Sequence, residues 1–247
     1  MCQNCEIKLT QKESRRNFLK LATVSIGTAL VGSVSLPIMA AGGPPPKPEN
    51  VMSPDAALAR LLQGNARYVK GIETPDSFKT IQPALFAGQN PYACILGCAD
   101  SRVSPELCFD ENQGDLFVTR VAGNFVTTEI LASLEYGTAV LNSPLIMVLG
   151  HTNCGAVGAA IKATEKHEDF PGHIQTLASA ISPAVKEALK KDPKNVADYA
   201  TRQNIRNNVI KLREATPLIS ARVENGQLRV VGGLYDLKTG RVELIET

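Results

Sequence analysis

Two short apolar runs, residues 92–97 and 145–149, each lead into a cluster of chemically active side chains. The first opens onto Gly97-Cys98-Ala99-Asp100-Ser101-Arg102 and the second onto Gly150-His151-Thr152-Asn153-Cys154. Unbroken apolar runs of this length read as strands buried on both faces, which belong to parallel sheets covered by helices. Open sheets of that kind place their sites outside the carboxyl ends of the strands. Two such strands, both delivering polar clusters at that end, hold the chain to an α/β architecture with one site between the clusters.

The remaining pattern agrees. Ser53-Pro54-Asp55 opens a helix, a cap residue followed by proline at the first helical position, with an apolar stripe of Ala57, Leu58, Leu61 and Leu62. Residues 116–120 read as another strand, and 130–141 as a helix with Leu131, Leu134, Val140 and Leu141 facing the core. Residues 155–163 form a Gly/Ala-rich helix, and 174–216 a charged helical stretch. Strands at 228–232 and 240–245 flank the turn Asp236-Leu237-Lys238-Thr239-Gly240. The expected fold class is α/β, a mostly parallel central β-sheet with flanking helices and an antiparallel C-terminal edge.

Alternate residues of an extended segment point the same way, so Cys98, Asp100 and Arg102 can share one side of their turn. His151 and Cys154, at a strand-to-helix junction, can converge on the same ion. Two Cys and one His suit zinc and leave a fourth position for water or substrate, as catalytic sites do. Bound zinc can bring the pKa of a coordinated water near 7, supplying hydroxide. Arg102 can pair with the Asp100 carboxylate and control whether it faces the metal or the water. Gly97 and Gly150 are expected to let backbone and metal approach. The competing reading is a structural zinc with Asp100 as fourth ligand, although carboxylates are uncommon in such sites.

Residues 1–41 read as an export leader: a basic start, an apolar stretch from residue 21 to 36, then small residues around Met39-Ala40-Ala41. Ser14-Arg15-Arg16-Asn17-Phe18-Leu19-Lys20 matches a twin-arginine signal. The apolar stretch is short for a bilayer span and is diluted by Gly27, Gly32 and hydroxyl residues. Export machinery of the twin-arginine type is the expected partner. The expected destination is a periplasm, or a thylakoid lumen in a photosynthetic organism. Residues 42–52 read as a Pro/Gly-rich linker, and 53–247 as a single catalytic domain.

The leader holds five basic and two acidic residues, leaving 21 basic and 22 acidic elsewhere. The formal charge of +2 therefore belongs to the leader, and nothing suggests a nucleic-acid surface. Cys2-x-x-Cys5 is a weak redox or metal signal. Cys94 and Cys108 read as small core residues, with a disulfide between them left open.

The stretches around Cys98 and His151 resemble the two signatures of β-class carbonic anhydrases. The resemblance runs from about Leu58 to the C-terminus and includes Leu62-Gln63-Gly64-Asn65-Ala66-Arg67-Tyr68, Arg120-Val121-Ala122-Gly123-Asn124 and Leu134-Glu135-Tyr136-Gly137. It implies reversible hydration of carbon dioxide to bicarbonate and a proton on one Zn2+ per chain. Cys98, His151 and Cys154 match the family's zinc ligands, and Asp100 and Arg102 its catalytic pair. In some members the equivalent of Asp100 takes the fourth zinc position in a closed state. Gln89 matches a substrate-orienting glutamine. Phe117 and Tyr136 match aromatics lining the pocket, in the family partly supplied by the neighbouring subunit. A homodimer or homotetramer is implied, with the helix around residues 54–70 embracing the partner.

Some members also carry an inhibitory bicarbonate pocket built on a tryptophan. Ile95 stands at that position and the chain has no Trp, although Arg120 matches the pocket's arginine. His167 and His173, the only other histidines, read as solvated loop residues more readily than as a proton shuttle. Two other functions fit the same motifs. One is a hydrolase of carbon disulfide or carbonyl sulfide, and the other a non-catalytic zinc- or bicarbonate-binding protein.

Overall fold

The computed structural model describes residues 46–246, so the leader, Cys2 and Cys5 lie outside the described residues. Five strands form one sheet: β1 (Ala93–Gly97), β2 (Leu116–Arg120), β3 (Leu145–His151), β4 (Arg229–Tyr235) and β5 (Val242–Ile245). Their order is β2-β1-β3-β4-β5. The first four are parallel, and β5 pairs antiparallel with β4. The chain runs from β1 outward to β2, then returns to place β3 on the other side of β1. The order therefore reverses between β1 and β3, which opens a crevice at their carboxyl ends.

The helices are α1 (Pro54–Val69), α2 (Phe78–Ala87), α3 (Pro105–Cys108), α4 (Thr128–Glu135), α5 (Gly155–Lys166), α6 (Ile174–Lys191), α7 (Val196–Arg213) and α8 (Leu218–Glu224). None of the described helices is long and apolar enough to cross a membrane. Strand alternation sorts the core into two layers. Ala93, Ile95, Leu145, Met147, Leu149 and Val231 face α1, packing on Ala57, Leu58 and Leu61. Cys94, Leu96, Ile146, Val148, Val230 and Leu234 face the other way, onto Leu134, Ile205, Val209 and Leu212. Fully burying one such aliphatic side chain contributes about 1.5–3 kcal/mol, so each layer fixes the strand register. A one-residue slip would exchange the layers.

Several expectations are refined. Ser53 caps α1 as expected, its side chain accepting from the Ala56 amide. The apolar stripe of this helix covers the chain's own sheet. Residues 174–216 break at Asp192 into α6 and α7, and α8 follows. The helix expected over 130–141 is regular only to Glu135 and continues as a π-helical turn, Tyr136–Val140. Val140 there is exposed, not core. The contact there is tertiary: a Cβ on Gly137 would stand 2.6 Å from the Cys94 sulfur, so the backbone itself packs on β1. The sequence reading passed over α2, which contains Pro83 and buries none of its residues.

The linker is shorter than its composition suggests. Lys47 is buried and ion-paired with Asp115, and Asn50 donates to Asp115 at 2.8 Å and to the Asn90 carbonyl at 2.9 Å. From about residue 46 the chain already belongs to the fold. Cys94 and Cys108 are both free and buried. They face opposite layers of the sheet, so the disulfide left open by the sequence does not form.

Candidate metal centre

Cys98 is the first residue beyond β1, His151 ends β3, and Cys154 is the N-cap of α5. Because β1 and β3 are neighbours at the point of reversal, the two sequence clusters meet. One ligand atom from each of Cys98, His151 and Cys154 lies within 4.8 Å of the others, and all three residues are buried. Both expected ligand turns are therefore in place.

The donor set fits a zinc ion. The two sulfurs stand 3.9 Å apart, too far for a disulfide bond of about 2.0 Å. Two sulfurs each about 2.3 Å from one tetrahedral zinc lie roughly 3.8 Å from each other. The His151 Nδ1 lies 2.9 Å from the Thr152 carbonyl, and only a protonated Nδ1 can donate there. That tautomer leaves a lone pair on Nε2, which is buried and has no hydrogen-bond partner. An orphaned buried nitrogen beside two sulfurs is the signature of a metal ligand.

Charge points the same way. The contact with Cys154 holds the Cys98 thiol below its ordinary value. The same contact, reinforced by burial, pushes the Cys154 thiol well above its ordinary value. Two buried thiols this close do not both ionise unaided, whereas a cation between them allows it. Cys154 also sits at a helix N-terminus, where the dipole favours a thiolate.

Around the ligands the backbone is tightly held. Arg102 grips Asp100 bidentately, Nε to Oδ1 at 2.9 Å and Nη2 to Oδ2 at 2.7 Å, and its own amide donates to Oδ1 at 3.0 Å. Arg102 Nη2 also reaches the Asn153 carbonyl at 3.2 Å, linking the two ligand turns. The Arg102 guanidinium holds the Asp100 carboxyl below the usual carboxylate range. Asp100 Oδ2 lies 3.7 Å from His151 Nε2, at the rim of the ligand cluster. Arg120 donates to the carbonyls of Cys98 at 2.7 Å and Asp100 at 2.6 Å, and the Gly123 amide donates to the Cys98 sulfur at 3.2 Å.

Three expected residues are not gathered here. Phe117 pairs with Cys94, four residues before Cys98, which places it roughly 13 Å away along the strands. Tyr136 lies beside Phe117, ring centroids 6.2 Å apart, and is 47% exposed. Gln89 is exposed in the loop before β1, at the opposite end of the sheet. His167 and His173 are both exposed, His167 in the left-handed conformation that ends α5. The glycines also serve differently. A Cβ on Gly150 would meet Ile205 of α7 at 2.6 Å, while one on Gly97 would make only ordinary contacts at 3.8 Å. The missing side chain of Gly150 thus admits Ile205 of α7. Sequence reasoning missed Asn204 of α7 and gave Gly123 no role beyond its place in a motif, because both act through contacts between distant segments.

An open, mostly parallel sheet with a buried Cys/His/Cys cluster at its point of reversal defines a metalloenzyme-like α/β protein. Residues 93–242 match the family described as carbonic anhydrase. The chain is 38% identical to carbonic anhydrase 2 of Mycobacterium tuberculosis over 193 residues, 78% of this chain and 93% of that protein. It is 33% identical to the carbonic anhydrase of Pseudomonas aeruginosa over 171 residues, 66% of this chain and 77% of that one. The β-carbonic anhydrase CcaA matches with a TM-score of 0.63 at 26% identity, covering 76% of this chain and 87% of its own. The Coccomyxa β-carbonic anhydrase solved with acetazolamide gives 0.60 at 28% identity, covering 76% and 86%. The chain belongs to the carbonic anhydrase family, in its β class, and is an enzyme.

Proposed function

We propose that this carbonic anhydrase hydrates carbon dioxide reversibly with one zinc ion per chain, held by Cys98, His151 and Cys154. The observation that carries the reading is the buried, unpartnered His151 Nε2 facing two sulfurs 3.9 Å apart. Bound there, zinc supplies Lewis acidity that brings the pKa of a water near neutrality.

The chain's own residues do the rest. Asp100, held ionised by Arg102, only accepts hydrogen bonds at neutral pH, so it orients the attacking water and cannot act as an acid. Both of its oxygens are engaged by Arg102, which supports an open arrangement and leaves the closed state, Asp100 as fourth ligand, to a rotation away from Arg102. Gln89, Phe117 and Tyr136 stand away from their own chain's ligands. Their placement supports a pocket completed by a second copy in a homodimer or homotetramer. The leader reading is proposed with it: residues 1–41 direct export by the twin-arginine machinery to a periplasm.

Stopped-flow hydration of carbon dioxide, with zinc assayed in the same sample, tests the proposal. Turnover with about one zinc per chain is the expected result. Full zinc without turnover would overturn it and favour hydrolysis of carbon disulfide or carbonyl sulfide at the same centre.

A further inference from the structure

One ligand bond depends on a helix that contributes no ligand. The segment 121–126 wraps the end of β1, and Gly123 in it donates its amide to the Cys98 sulfur at 3.2 Å. Gly123 has a positive φ of 87°, and a Cβ there would strike Ile181 at 2.4 Å. Left to itself, a glycine in this conformation has the widest choice of alternatives. Its position is instead fixed from α7. Asn204, 3% exposed, donates its amide to the Gly123 carbonyl at 2.9 Å. Asn208, one turn on, accepts from the Val126 amide at 2.8 Å and donates to the Asn204 carbonyl and side-chain oxygen at 2.8 and 3.2 Å. Lys211 closes the ladder on the Val126 carbonyl at 2.9 Å.

We infer that Asn204 is a positioning residue of the metal centre: through Gly123 it holds the N–H···S bond that sets the charge and direction of the Cys98 thiolate. This rests on the zinc reading proposed above. A hydrogen bond to a thiolate draws charge from sulfur, and partners of this kind outside the ligand set are worth about 10–100-fold in metal affinity. His151 takes its orientation from Thr152, one residue away, and Cys154 from the start of α5. Cys98 takes its support, through Gly123, from a residue more than a hundred positions distant in the chain.

The test uses the full chain loaded with cobalt(II), whose thiolate charge-transfer band reports on the sulfur, together with zinc affinity measured against a chelator. Asn204→Leu keeps a similar volume and has no group that can donate to the Gly123 carbonyl. It should shift the band to longer wavelength and weaken zinc binding about tenfold. Val209→Ala, in the same helix and buried with no bond to the loop, should lower stability while leaving the band in place. A folded Asn204→Leu protein with wild-type band and affinity overturns the inference, as does a Val209→Ala protein with the same shift. If Asn204→Leu does not fold, Asn204→Ala is read by the same criteria. If neither folds, wild-type protein loaded with a spin-active cadmium isotope decides: coupling between the metal and the Gly123 amide proton supports the bond, and its absence removes the basis of the inference. Wild-type protein that takes up no cobalt or zinc would sink the zinc reading itself, an outcome separate from failure of Asn204 alone.

Discussion

Asp100 is the residue on which turnover and metal binding separate. Its oxygens are held by Arg102, and its contact with the ligand cluster is a single approach of 3.7 Å to His151. Asp100→Asn removes the acceptor charge without touching a sulfur or the imidazole. The expected outcome is about one zinc per chain, measured by metal analysis, with hydration slowed at least about 100-fold. Loss of zinc along with activity would make Asp100 a standing ligand instead. The four cysteines of the fold divide just as sharply. Burial pushes the Cys94 thiol up to about 12 and raises Cys108 as well, so neither is reactive near neutral pH. In protein lacking residues 1–41, a chelator should expose Cys98 to a thiol reagent first, with Cys154 following more slowly because its thiol is held above its ordinary value. Four reactive thiols would mean that metal removal unfolds the chain.

Elements show where the sequence spoke and where it stayed silent. The strands bearing the ligands were legible because burial on both faces forces an unbroken apolar run, and the ligands because zinc demands thiolates and imidazole at close spacing. The π-helical turn was not legible, since it follows from Gly137 packing against Cys94 on another element. Neither was the Asn204 ladder, whose asparagines look like ordinary polar helix residues until α7 is laid across the loop 123–126. The two glycines before the ligand turns were legible as special, but the closeness of Gly150 to α7 was not, and a pair of variants separates the readings. Gly150→Ala forces a methyl into Ile205, fully buried on α7. It should cost about 1–3 kcal/mol, seen as a lowered Tm and denaturant midpoint. Gly97→Ala meets only ordinary contacts and should leave stability within about 0.5 kcal/mol. Equal effects at both positions would mean that proximity to the site, not the packing of α7, governs them.

At the scale of the whole molecule, the residues proposed to line the pocket stand apart from the ligand cluster of their own chain. The ligands, Asp100 and Arg102 gather at the carboxyl ends of β1 and β3. Gln89 lies before β1, while Phe117 and Tyr136 stand together on β2, an edge strand, and the exposed turn beyond α4. A second copy set against that edge would give each site the residues its own chain displays elsewhere, and a two-fold pairing would complete both sites at once. Complementation tests this directly. Asp100→Asn ruins the site whose ligands that chain supplies, while Phe117→Ala with Tyr136→Ala ruins the site of its neighbour. Each protein alone should be nearly inactive. Co-expressed in equal amounts and assembled at random, half of the dimers are mixed, and in each one site escapes both lesions. Activity should therefore recover to about a quarter of wild type per chain. If each site were built within one chain, every site in the mixture would still carry one lesion or the other, and mixing would restore nothing.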